Sequence, residues 1–222
     1  MKKIGVIVAM QKELDLFIKN MGNYRVVTFN HHPFYICKYK DFDLAIAVSG
    51  IGKVAAALTA SNLIYNFSPD LIINIGISGG LDKNLNVGDW VLGLDLCYHD
   101  FWCGDDNDFE NAICGSHIYH SDLELATRQK DCIKGLLCCG DWFITDAEEL
   151  AEIKNRYPQA LAVDMESTAI AQTCDAYKVK FLCMRQISDT PGIKNHAEQY
   201  EKFWRDAPSH SLQVLTSILD NL

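Results

Sequence analysis

Basic charge, long apolar runs and domain punctuation are all scarce in this 222-residue chain. Lysine and arginine number 20 against 29 aspartates and glutamates, a formal net charge of −9. Phosphate backbones are bound by clustered cations. No basic stripe occurs, so a nucleic-acid partner is not expected and a polyanionic substrate is disfavoured. No stretch approaches the roughly 18 apolar residues of a membrane span, so no membrane association is expected. Met1-Lys2-Lys3 followed by Ile4 to Ala9 imitates a secretion signal, but Gln11-Lys12-Glu13 cuts the apolar run short. The nine cysteines are odd in number and contain no CxxC, which predicts reduced thiols in the cytoplasm rather than a disulfide framework. Neither an internal repeat, a low-complexity tract nor a Pro/Ser-rich linker is present, so residues 1–222 are read as one domain.

Apolar residues make up 49% of the chain and charged ones 22%, ample for a packed core. Lys3 to Ala9 reads as a buried strand, and Leu14, Phe17, Ile18 and Met21 have the spacing of a helix. Tyr24 to Phe29, Phe34 to Tyr39 and Asp43 to Val48 read as a meander, with turns at His31-His32-Pro33 and Lys40-Asp41. Lys53 to Asn66 is a helix by composition. Leu71 to Ile75 is a strand that Gly76-Ile77-Ser78-Gly79-Gly80 is expected to end in a flexible turn. Trp90 to Cys97 is another strand, and Phe101 to Ser121 reads as a long loop and candidate lid. Helices are expected over Asp122 to Cys132, Ala147 to Arg156 and Met165 to Asp175, the last with Glu166 in its first turn. Lys180 to Ile187 is the last strand and Tyr200 to Leu222 one closing helix. The alternation predicts an α/β three-layer sandwich, a central mixed β-sheet flanked by helices, with ligands beyond the carboxyl ends of its strands.

Val163-Asp164-Met165-Glu166-Ser167 and Met184-Arg185-Gln186-Ile187-Ser188-Asp189 each close an apolar run with acids. Glu13 follows the first strand in the same way. Separately, each has a bland reading: Glu13 and Glu166 as first-turn acids favoured by the helix dipole, Asp189 as a turn former before Pro191-Gly192. Together they put three carboxylates at one sheet edge, an electrostatically costly arrangement that points to a site. Two other patterns carry less. Gly50-Ile51-Gly52-Lys53-Val54-Ala55 fits the loose dinucleotide pattern, but Asp70, twenty residues beyond its first glycine, precedes its strand and should lie at the opposite sheet edge. No dinucleotide or other cofactor is therefore expected. Cys114, His117 and His120 lack a fourth ligand, and no metal is expected.

Ile4 to Glu13, Ser49 to Ala56, Gly76 to Gly80, Tyr98-His99-Asp100, Gly140 to Ile144, Asp164-Met165-Glu166 and Ile187-Ser188-Asp189 occur in order along nearly the whole chain. As a set they resemble the 5′-methylthioadenosine/S-adenosylhomocysteine nucleosidases of the nucleoside phosphorylase/hydrolase superfamily. The resemblance implies hydrolysis of 5′-thio-substituted adenosines to adenine and a 5-thioribose derivative, with water as nucleophile and a homodimer as the assembly. A phosphorolytic member of the superfamily, or a hydrolase of another purine nucleoside, is the alternative. By similarity Asp189 is the general acid toward N7 of adenine, a role that suits a partly dry pocket, and Glu13, aided by Arg185, prepares the water. Glu166 clamps the ribose hydroxyls, with Met165 beside the sugar. Phe143 stacks on the base and the Ile144 backbone meets its edge, while Ser78, Gly79 and Ser188 line the base side. Met10, Ile51 and Tyr200 match apolar positions at the 5′ end. Ile77 stands where the family commonly has serine, and the Phe101–His120 segment departs from the family's pattern, which bears on base preference and on the 5′ substituent.

Overall fold

Runs of β-branched residues and leucine form strands whose alternate side chains enter two helical layers. The structure, a computed structural model, describes residues 2–18, 21–101, 118–190, 196–206 and 210–222. At its centre β1 (Lys3–Val8) runs parallel to β4 (Phe42–Val48) on one side and to β5 (Leu71–Gly80) on the other. β5 continues the parallel set into β10 (Lys180–Asp189). On one face Ile7, Ile72, Phe181 and Cys183 pack with α2 (Lys53–Phe67) and α5 (Ser167–Tyr177). On the other, Ile4, Val6, Ile73, Leu182 and Met184 meet α1 (Gln11–Ile18), α3 (Leu123–Arg128) and α7 (His210–Asp220). Period-two alternation over these buried strands is the expected three-layer α/β sandwich.

β2 (Arg25–Phe29) and β3 (His32–Tyr39) extend the sheet beyond β4 as an antiparallel hairpin. Its turn is Asn30-His31, both at positive φ, rather than His31-His32-Pro33. Two left-handed residues match the strand twist, and Pro33 is tolerated because the pairing of β3 with β4 begins only at Phe34.

The other half of the sheet closes on itself. β6 (Trp90–Tyr98) is antiparallel to β10 and parallel to β8 (Ile133–Cys139), β8 is parallel to β9 (Ala160–Asp164), and β9 returns to β5 through Gly79 and Gly80. The five strands β5, β10, β6, β8 and β9 thus form a circuit, with the short β7 (Tyr119–His120) against β6.

This closure corrects several expectations. Gly76 to Gly80 does not end β5; small residues let the strand continue across the sheet, paired first to β10 and then to β9. β10 likewise runs through Asp189. The helix expected to Cys132 stops at Arg128, because Ile133 to Cys139, unread as a strand, belongs to the circuit. Glu166 is the residue before α5, not within its first turn. The closing helix is two, α6 (His196–Asp206) and α7, with Pro208, which has no backbone N–H to donate, between them in sequence. Tyr119-His120, placed in the long loop, is strand; residues 102–117 of that candidate lid lie outside the described residues.

Candidate functional site

The extension of β5 creates the site. Its last residues bend over to pair with the carboxyl end of β9, so strands running in opposite directions finish around one cleft. That cleft spans about 710 Å³, part of it open to solvent. Asp189, Glu13, Arg185, Glu166, Met165, Phe143, Ile144, Ser78, Gly79, Met10, Ile51, Tyr200 and Ser188 all line it.

Glu13, in the first turn of α1 just past β1, is buried. Its Oε2 accepts the N–H groups of Ala9 and Met10, both at 2.9 Å, and its Oε1 that of Ile77 at 3.3 Å. The helix-terminus reading is therefore partly true of it, yet the carboxylate also faces the cleft. Burial pushes its pKa above the usual carboxylate range, outweighing these donors and the Arg185 charge. Gly76 makes the approach possible: a Cβ there would stand 2.8 Å from Glu13 Oε1.

Glu166 caps nothing on its own helix; its Oε1 instead accepts the Gly52 N–H at 2.9 Å. Burial and, after it, repulsion by Asp164 push its carboxyl up to about 7, against the Gly52 donor and Arg185. Asp189 closes β10 at 2% exposure. The Ser188 hydroxyl reaches both Asp189 Oδ1 and the Ser78 carbonyl, the latter at 3.2 Å. Ser78 Oγ is buried with no hydrogen-bond partner among the described residues, and Ile77 offers the cleft a half-buried apolar side chain.

Arg185 is the one cation among the described lining residues, and it is already engaged. Its Nε donates to Asp164 Oδ2 at 2.8 Å, Nη2 donates to Asn74 Oδ1, and Nη1 to the Met184 carbonyl at 3.3 Å. Asp164 Oδ1 meanwhile accepts Ser167 Oγ at 2.9 Å and the N–H groups of Glu166 and Ser167, so the same carboxylate caps α5 and holds the guanidinium.

The first turn of α2 is capped from afar. Gly52, at φ +98°, has no side chain to cap with; its N–H goes to Glu166 and that of Lys53 to Asp141 Oδ1 at 2.7 Å. Lys53 Nζ binds Asp100 at 2.7 Å, and Asp100 accepts the Asp141 N–H at 2.8 Å. These links join the α2 terminus to the segment carrying Trp142, Phe143 and Ile144. Ile144 is buried, whereas half-exposed Phe143 meets Tyr200 of α6 edge to face at 5.9 Å.

Sequence reasoning gave no role to Asp164, Asn74, Asp100, Asp141, Lys53 or Trp142. Asn74 carried a signal, a single amide inside the apolar run Leu71 to Ile75. Asp70, placed by the sequence at the opposite sheet edge, accepts the Lys2 and Lys3 N–H groups at the end of the sheet away from the cleft. His120 Nδ1 is 2.8 Å from Asp95, and Cys114 and His117 lie outside the described residues. Among the described residues no His/Cys/Asp/Glu group has a metal-binding arrangement.

The sequence pattern of the phosphorylase superfamily matches residues 3–220. The chain is 35% identical to a 5′-methylthioadenosine/S-adenosylhomocysteine nucleosidase of Staphylococcus saprophyticus, over 99% of this chain and all of that one. Among solved structures it resembles the nucleosidase of that name from Neisseria meningitidis in complex with methylthio-immucillin-A, with TM-score 0.87, 31% identity and both chains fully covered. It also resembles the one from Colwellia psychrerythraea in complex with adenine, with TM-score 0.89, 30% identity and coverage of 100% and 96%.

Proposed function

The chain belongs to the phosphorylase superfamily and, within it, to the 5′-methylthioadenosine/S-adenosylhomocysteine nucleosidases, and from that membership we infer that it hydrolyses the N-glycosidic bond of 5′-thio-substituted adenosines. Adenine and a 5-thioribose derivative are the products. The observation that carries the reading is the convergence of Glu13, Glu166 and Asp189 on a cleft whose one described cation is committed to Asp164.

Cleavage builds positive charge on the sugar and negative charge on the leaving base. Asp189, dry and beside Ser188, passes a proton to N7, so the base departs neutral. Glu166 accepts from the ribose hydroxyls, and charge-assisted bonds of that kind disfavour a deoxyribose. Water attacks C1′ and gives its proton to Glu13, whose raised pKa suits a base. Arg185 holds no proton in transit; its charge keeps Glu13 and Glu166 from being pushed still higher. Phe143 faces the base, the Ile144 backbone meets its edge, Ser78, Gly79 and Ser188 line the base side, and Met165 lies beside the sugar. Met10, Ile51 and Tyr200 enclose the 5′ substituent. The chemistry calls on no metal or cofactor.

Water rather than phosphate is the nucleophile because an anion would meet the Glu13 and Glu166 carboxyls and a guanidinium already paired. The test is adenine release from 5′-methylthioadenosine in phosphate-free buffer and again with phosphate. Adenine with free methylthioribose in both supports the hydrolase; release only with phosphate, as the sugar 1-phosphate, moves the protein to the phosphorolytic branch.

We further propose a cytoplasmic homodimer built on α2. Val54 and Tyr65 on that helix are 71% and 82% exposed, and Leu58 lies between them. With exposed Ile51 the stripe runs to the mouth of the cleft, an unusual apolar face for a monomer. Cys97 and Cys138 stand 3.7 Å apart as free thiols, which suits a reducing compartment. Among the described residues no helix is long and apolar enough to cross a membrane.

A further inference from the structure

We propose that Lys12 is a specificity-determining residue, favouring substrates whose 5′ substituent ends in a carboxylate; the inference rests on the nucleosidase reading above. Lys12 immediately precedes Glu13 in α1. Its ammonium stands 3.7 Å from the centre of the Trp204 ring and 4.9 Å from that of Tyr200, and donates to the Tyr200 hydroxyl at 3.3 Å. That hydroxyl is 3.9 Å from Met10 Sδ, and both Tyr200 and Met10 line the cleft. The charge therefore sits one hydroxyl behind the wall, at the end assigned to the 5′ substituent.

Two features set it apart from other exposed lysines and suit it to recognition. The aromatic faces hold it in place without neutralising it, and among the described residues no carboxylate forms an ion pair with it. An ammonium has three donors, of which the Tyr200 hydroxyl takes one. The surroundings supply the need for it. A chain of net charge −9, with the Glu13 and Glu166 carboxyls in the cleft, disfavours an anionic substrate, and a cation behind the 5′ end offsets that. A thioether sulfur lying against Met10 and Tyr200 would carry an aminoacyl-type tail outward, past the ring edge, to the ammonium. A methylthio substrate ends before that point and gains nothing from it.

The experiment compares adenine release from 5′-(3-carboxypropylthio)-5′-deoxyadenosine with release from its carboxamide, which has the same shape and no charge. The readout is the ratio of the two kcat/KM values. Lys12→Met keeps the apolar stem on Trp204 and should lower the ratio about threefold to fivefold, the range of a partly exposed ion pair. Lys12→Arg should retain the ratio and Lys12→Glu should invert it. Raising ionic strength should bring the wild-type ratio down toward that of Lys12→Met. A ratio unchanged by Lys12→Met, or a salt-independent wild-type ratio, overturns the proposal. Equal losses on both analogues overturn it too, reducing Lys12 to a clamp on α6. Turnover of 5′-methylthioadenosine by the wild-type protein is scored separately: its absence would defeat the nucleosidase reading and the Lys12 proposal with it, whereas turnover with a ratio unchanged by Lys12→Met defeats the Lys12 proposal alone.

Discussion

Arg185 Nε and Asp164 Oδ2 are 2.8 Å apart, and both side chains are 98% shielded from solvent at 2% exposure. The pair is a structural hub, since Asp164 also caps α5 and Arg185 also reaches Asn74. Removing one partner strands a buried charge. Asp164→Ala should cost about 3–5 kcal/mol in chemical denaturation and lower the melting temperature by about 10 °C. Asp164→Leu combined with Arg185→Met should recover part of that loss.

Asp189→Asn keeps the shape but cannot donate the proton the leaving base requires. Its kcat should fall about 100- to 10,000-fold while the denaturation midpoint stays near wild type. Glu13→Gln should suppress hydrolysis over the same range. Near-normal turnover by either variant in an adenine-release assay removes that residue from its role.

Glu166 carries a pH signature. Its carboxyl titrates at about 7 when folded against an ordinary 4.5, so between those values the native state holds more protons than the unfolded one. Stability therefore falls as pH rises through that window, by about 3 kcal/mol. Glu166→Gln should remove at least half of the fall in denaturation midpoints. Ribose hydroxyls donating to the ionised form should pull the pKa down, so an inhibitor bound near pH 7 should release protons, visible by calorimetry in buffers of different ionisation enthalpy.

Gly76→Ala should act on chemistry before stability. The added methyl meets Glu13 Oε1 at 2.8 Å and Arg185 Nη1 at 3.6 Å, so the carboxylate must shift. A displacement of the base by even part of an ångström should cost about 10- to 100-fold in kcat/KM, measured beside the melting temperature to separate the two effects.

Leu58→Glu places a charge in the exposed α2 stripe and should convert a dimer to monomer in light scattering. If the wild-type protein is monomeric at micromolar concentration, the α2 interface is wrong.

Which stretches were legible without the fold follows from where their structure originates. Strands such as β1 and β10 announce themselves because burial on both faces demands continuous apolar runs. Helix α2 does so through its alanines and leucines. The strand β8 was missed because Ile133-Lys134-Gly135 begins with a charge and a glycine, and only pairing with β6 and β9 makes it extended. Gly76 to Gly80 misled for the same reason: glycines that favour turns locally are held as strand by partners more than eighty residues away.

The site divides along the same line. Residue types and order singled out Glu13, Glu166 and Asp189 as candidates, because acids that close apolar runs are visible in one dimension, and Arg185 entered through the family resemblance, whose motifs are local. What those groups are chemically was decided in three dimensions. Where β5 passes Glu13 and goes on to meet β9, the carboxyls of Glu13 and Glu166 are buried, and burial raises pKa values that isolated carboxylates would not have. Asp164 holding Arg185, Gly52 holding Glu166 and Lys12 standing behind Tyr200 join residues from 21 to 188 positions apart. Composition and spacing carry no term for such contacts; they arise only when the sheet closes and brings the ends of its strands together.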